Sequence, residues 1–188
     1  DKAGGKLTRV ASVASFFVSR VDTLIDKLLE EKRKAGAKVE GLPGLAAVAN
    51  AKLAYARFEQ VFNRAGEFGP LMAKGARVQR PLWASTSTKN PAYPDTKYVD
   101  ELVGPNTVNT MPPETLSAAL DHGRTEVTID RDLEGARAAL AQLAEVGIEL
   151  KAVTDQLTVE GVAAFAKSFD ELLANLTAKR TRLKTVAR

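Results

Sequence analysis

The sequence of 188 residues contains no cysteine, which excludes disulfide bonds, thiolate metal ligands and a thiol nucleophile. A cysteine-free chain suits a reducing compartment, and no secretory leader is visible at Asp1, so the expected location is the cytoplasm. No apolar run is long enough to span a bilayer, and no membrane partner is expected. Internal repeats and low-complexity linkers are also missing. Histidine occurs once, at His122, where a helical pattern runs out. It reads as a surface or capping residue.

What is present is ordinary for a soluble domain: 45% hydrophobic and 27% charged residues, enough apolar material for one core. The formal charge of +4 raises the question of nucleic acid. Its distribution argues against that partner. Lys32, Arg33 and Lys34 follow Glu30 and Glu31 on a mixed helix face, and only the tail with Lys179, Arg180, Arg182, Lys184 and Arg188 is locally of one sign. Basic residues at a helix end complement the helix dipole.

The stretch over residues 80–95, RPLWASTSTKNPAYPD, is the most informative. Pro81, Leu82, Trp83 and Ala84 are buried-strand material, and the strand gives way to Ser85, Thr86, Ser87, Thr88 and Lys89. Hydroxyls and an ammonium at a strand's carboxyl end can meet an oxygen-rich ligand, and in α/β folds ligands bind at that end. Asn90, Pro91, Pro94 and Asp95 prevent the backbone from continuing as strand or helix. By composition alone the same loop reads as a solvated turn; its position after a short apolar strand is what favours a site. Residues 7–18, LTRVASVASFFV, repeat the design: a β-branched and aromatic run ends at Ser19 and Arg20 and passes into a helix.

That first helix carries Val21, Leu24, Ile25, Leu28 and Leu29 at helical spacing and stops at Gly36. A second runs over residues 45–63 with Val48, Ala51, Tyr55, Phe58 and Phe62 on one face, read as core. Phe68, Leu71 and Met72 predict a short helix ended by Gly75, and Tyr98, Val99, Leu102 and Val103 another ended by Gly104 and Pro105. Residues 107–111 read as a third strand, and Pro112 and Pro113 open a helix reaching Gly123. Leu133, Ala136, Leu140 and Leu143 mark a helix closed by Gly147. A brief segment over residues 150–154 precedes a last helix, capped by Thr158, with Val159, Val162, Phe165, Ala166, Phe169, Leu172, Leu173 and Leu176 as one stripe. Strands separated by helices predict α/β architecture with a parallel sheet.

The segments VASFFVSRVDTLIDKLL, QRPLWASTSTKNPAYPDTKYVDEL, TVNTMPPETL and AVTDQLTVEGVAAFAKSFDELL resemble transaldolases, in particular their longer bacterial branch, over nearly the whole chain. The resemblance implies a (β/α)8 TIM barrel and a class I enzyme of the pentose phosphate pathway that uses a lysine Schiff base and needs no cofactor or metal. Such an enzyme transfers a dihydroxyacetone unit between sugar phosphates. Sedoheptulose 7-phosphate or fructose 6-phosphate is the donor, and glyceraldehyde 3-phosphate or erythrose 4-phosphate the acceptor. It also implies that residues 1–188 are a partial barrel domain. The family's Schiff-base lysine, proton-handling carboxylates and assisting asparagine lie on earlier strands with no counterpart here, so no catalytic residue is expected in this chain. Residues 10–17, 82–85 and 107–111 resemble the sixth, seventh and eighth strands, and the complementary N-terminal half becomes an expected partner. The alternatives are a related class I aldolase and a catalytically silent sugar-phosphate-binding or scaffold fragment.

The family's phosphate motif, a serine followed five residues later by an arginine, matches Ser15 and Arg20. Guanidinium forks and helix N-termini both suit phosphate. Phe16 and Ser19 stand where many members have proline and glycine. The commoner branch has a second arginine after the seventh strand; here Lys89 is the nearest cation, with Ser85 as a polar neighbour. A salt bridge to Asp22 or Glu30 is the structural alternative for Arg20. Lys89 is not expected to be the nucleophile, because a loop beside turn prolines gives little desolvation.

Overall fold

The computed structural model describes residues 4–63 and 65–186. After a 3-10 turn at Leu7–Arg9 come strand β1 (Ser12–Phe17), helices α1 (Val18–Lys34), α2 (Ala46–Phe62) and α3 (Gly69–Met72), and strand β2 (Gln79–Ala84). They are followed by α4 (Lys97–Asp100), β3 (Val108–Asn109), α5 (Pro113–His122), α6 (Leu133–Glu145) and α7 (Leu150–Val186). The three strands form one parallel sheet in the order β1-β2-β3, as the alternation of strands and helices predicts.

The strand limits differ from the sequence reading. Val10 lies outside β1 and is 61% exposed, β2 starts earlier and ends before Ser85, and β3 is reduced to two residues. Pairing explains the trimming. Ser12 through Phe17 are matched in register to Gln79 through Ala84, and beyond Phe17 the backbone turns directly into α1.

The two faces of the sheet are unlike. Trp83 and Pro81 of β2 are buried, and Phe16 lies 5.5 Å from Trp83 between ring centroids. On the alternate positions Val13, Ser15 and Phe17 remain exposed, so this side of β1 is bare. The Trp83 indole Nε1 is buried with no hydrogen-bond partner among the described residues, which costs about 1–3 kcal/mol.

The helical core follows the apolar periodicity. Val21, Ile25 and Leu29 of α1 and Val48, Ala51, Tyr55 and Phe58 of α2 are buried, and the rings of Phe58, Phe62 and Phe68 pack in succession in tilted pairs. α2 and α6 meet through Ala49, Ala136 and Ala139, small side chains that allow close approach. Asp132, in the left-handed conformation, caps α6 by accepting the Gly135 N–H at 2.9 Å, an interaction worth about 1 kcal/mol.

The chain divides at Leu150 into two units, the second being the rest of α7. The expected break before Thr158 does not occur: its hydroxyl donates to the Thr154 carbonyl at 2.8 Å inside a continuous helix. The apolar stripe of α7 is present but uncovered, from Val159 at 71% exposed to Leu173 at 47%.

Candidate phosphate-binding site

The carboxyl ends of β1 and β2 are joined through Ser19. β1 passes into α1 without a connecting loop, so Ser19 falls in the first helical turn, where it is buried. Its N–H donates to the Ser85 carbonyl at 3.0 Å, and the two hydroxyls meet at 2.7 Å. Ser85 adopts φ +55°, a left-handed conformation that serine seldom takes. The paired hydrogen bonds hold it there. Ser85 is thus a structural fastener of the corner, bonded to the residue before Arg20.

Arg20 is exposed on the same helical turn, its guanidinium carbon 4.7 Å from the centre of the Phe17 ring. The salt-bridge alternative is not what the structure has. Glu30 is held by Arg33 at 2.7 Å and Lys34 at 3.5 Å, and the Arg33 hydrogen bond brings its pKa down to about 2. Asp22 is turned into the core. No ion pair is formed by Arg20 among the described residues, and the helix it opens has no side-chain cap. Ser15 lies earlier, in mid-strand opposite Leu82, exposed on the bare face with Val13 and Phe17.

Two carboxylates on α1 organise the far side of the site. Asp22 and Asp26 stand one helical turn apart, and each accepts one tyrosine hydroxyl and one backbone N–H. Asp22 takes Tyr98 Oη and Ala47 N, both at 2.8 Å. Asp26 takes Tyr93 Oη at 2.6 Å and Gly44 N at 2.9 Å. Each pair ties α1 to the entry of α2 and to the segment after β2. Burial raises the Asp22 pKa against the lowering effect of its two donors. Burial raises both phenols as well, with the neighbouring carboxylates adding to the shift.

The hydroxyl loop is largely committed to its own structure. Thr86 is fully buried and its hydroxyl is shared between Asn109 Oδ1 at 2.9 Å and the Thr110 carbonyl at 3.1 Å. Ser87 accepts from the exposed Lys89 ammonium at 2.6 Å. A cavity of about 190 Å³ separates Lys89 and Asn90 from Thr23 and the two aspartates of α1.

Of the four residues the sequence singles out, Arg20 and Ser85 therefore share one corner, Lys89 faces the same helix across the cavity, and Ser15 lies below on β1. Sequence reasoning missed Ser19, Asp22, Asp26, Tyr93 and Tyr98. A readable signal existed for the acids: Asp22 and Asp26 follow one another at helical spacing, and Asp22 is in step with the buried Ile25 and Leu29. His122 is exposed at the end of α5 and lies 3.0 Å from Asp95 and 3.1 Å from Asp121. No helix is long and apolar enough to cross a membrane among the described residues.

Comparison with known proteins gives this corner its context. The chain is 54% identical over 92% of its length to a transaldolase of Mycolicibacterium smegmatis, and 52% identical over 97% to one of Acidothermus cellulolyticus. A transaldolase of Trichodesmium erythraeum is 44% identical over 97% of the chain. The matches cover 46%, 48% and 50% of those proteins respectively, so the chain spans about half the length of these curated relatives. Residues 2–176 match the profile of one family, and the chain belongs to it: Transaldolase/Fructose-6-phosphate aldolase.

Proposed function

We propose that this chain is the phosphate-binding half of a transaldolase, an enzyme transferring a dihydroxyacetone unit between sugar phosphates. In this reading residues 1–188 form the part of a (β/α)8 barrel that contains its sixth to eighth strands. The bare side of β1 becomes barrel interior, and the complementary half brings the Schiff-base lysine and the proton-handling groups. Family membership and the half-length match to the relatives support this assignment.

The observation that carries the site is Arg20, an exposed guanidinium at the β1/α1 corner with no carboxylate partner among the described residues. It meets the phosphate as a two-pronged donor. Ser15 adds a hydroxyl from the strand below, Lys89 a second cation from the loop, and Ser85 keeps the corner closed. None of these groups takes part in bond making.

Borohydride trapping in the completed barrel tests both parts. Fructose 6-phosphate should leave a reduced adduct on a lysine outside these residues. Arg20→Ala should raise the fructose 6-phosphate concentration needed for half-maximal trapping about thirtyfold, corresponding to about 2 kcal/mol for a lost charge-assisted contact. Trapping by unphosphorylated dihydroxyacetone should hardly change. Equal losses with both compounds would remove Arg20 from the phosphate site, and an adduct on Lys89 would overturn the division of labour.

A further inference from the structure

We infer that Tyr93, through its hydrogen bond to Asp26, is a positioning residue for Lys89. The inference rests on reading Lys89 as a phosphate contact and names what would hold it in place. Between the end of β2 at Ala84 and the start of α4 at Lys97 there is no regular secondary structure, and Lys89 stands in that interval. Among the described residues its ammonium bonds only to Ser87 of the same loop, which leaves its placement relative to Arg20 unfixed. The cavity between the loop and α1 means that side-chain packing does not fix it either. A cation that must meet the same anion as Arg20 gains from being held in advance.

A continuous series of short links supplies that hold. The Ala92 N–H donates to Asn90 Oδ1 at 3.0 Å and the Tyr93 N–H to the Asn90 carbonyl at 3.1 Å, so the residue after Lys89 and Tyr93 belong to one tight turn. Tyr93 then donates to Asp26, which is on the same helix as Arg20. The other oxygen of Asp26 is occupied by Gly44 N–H, which aims the carboxylate. Gly44 is itself fitted to the tyrosine: at φ +76° a Cβ there would lie 2.7 Å from Tyr93 Cζ. Tyr98 and Asp22 form the second tie at the same cavity, but they are buried, whereas Tyr93 and Asp26 are half-buried. The Tyr93 link is the one that can be cut without opening the core.

The test uses the completed barrel with Tyr93→Phe, Lys89→Met and the double variant. Hydrogen exchange of the 87–92 backbone is read alongside affinity for fructose 6-phosphate. In Tyr93→Phe these amides should exchange about tenfold faster or more, and the fructose 6-phosphate dissociation constant should rise about tenfold, the effect of losing one charge-assisted hydrogen bond. Exchange in α1 and the melting temperature should stay near wild type. The double variant should bind no more weakly than Lys89→Met alone, since the tether acts only through the lysine. Unchanged exchange in the loop, or additive losses in the double variant, would overturn the positioning role while leaving the phosphate reading of Lys89 intact. Wild-type affinity in Lys89→Met would defeat that reading, and with it the purpose assigned to the tether, even if the loop loosened as expected.

Discussion

Single residues in this protein are mostly decided by their partners. His122 lies between Asp95 and Asp121, and those hydrogen bonds raise its pKa above 6.5 while His122 lowers that of Asp95. A histidine with a raised pKa in the folded state stabilises the fold fully below its unfolded value and loses that contribution as pH rises through the folded one. The melting temperature of wild type minus that of His122→Gln should therefore be larger at pH 5.5 than at pH 8.5. A difference independent of pH would show that the carboxylates do not hold the imidazolium. The place of Arg20 at a strand-to-helix junction was legible in the sequence, because the apolar run passes into helical spacing there. Asp22 was legible only as a charge near Arg20, since its real partners Tyr98 and Ala47 are 76 and 25 residues away. A separation of 66 residues likewise hides Ser19 from Ser85, and what reads as a departure from a family glycine is a hydrogen-bonded corner.

At the scale of elements, apolar periodicity placed α1, α2, α5 and α6 nearly to their ends. It misjudged β1 and β3, because a β-branched run extends past the residues that find a partner strand. It found the stripe on α7, but periodicity records only that a face is apolar and not whether it is covered. The approach to β3 shows how a single atom can set an element. Thr128 and Ile129 both donate their N–H groups to the Val103 carbonyl, which brings the buried Ile129 against Gly104. A Cβ on Gly104 would collide with Ile129 Cγ2. Gly104→Ala should destabilise the completed barrel by about 1–3 kcal/mol, the cost of overpacking a tight contact. An unchanged thermal unfolding temperature would mean that the segment before β3 moves aside freely.

For the whole molecule, the bare face of β1 and the two sheet edges, unpaired among the described residues, govern behaviour. The chain on its own should self-associate or bind hydrophobic dye, and a complementary half should suppress both. Light scattering after size-exclusion chromatography decides it: a lone chain that runs as a dye-silent monomer and melts cooperatively would overturn the half-barrel proposal. The family was legible here because long motifs occur in a fixed order, and the parallel sheet because strands alternate with helices. The same sheet has a consequence for how the fold is reached. Ser12 and Gln79, which bond across β1 and β2, are 67 residues apart, whereas Trp83 and Thr110 across β2 and β3 are 27 apart. Closing the longer connection costs about 0.8 kcal/mol more in chain entropy. On chain entropy alone the β2/β3 crossover is the one favoured to close first, so the strand that carries Ser15 and leads into Arg20 has the more costly connection to make.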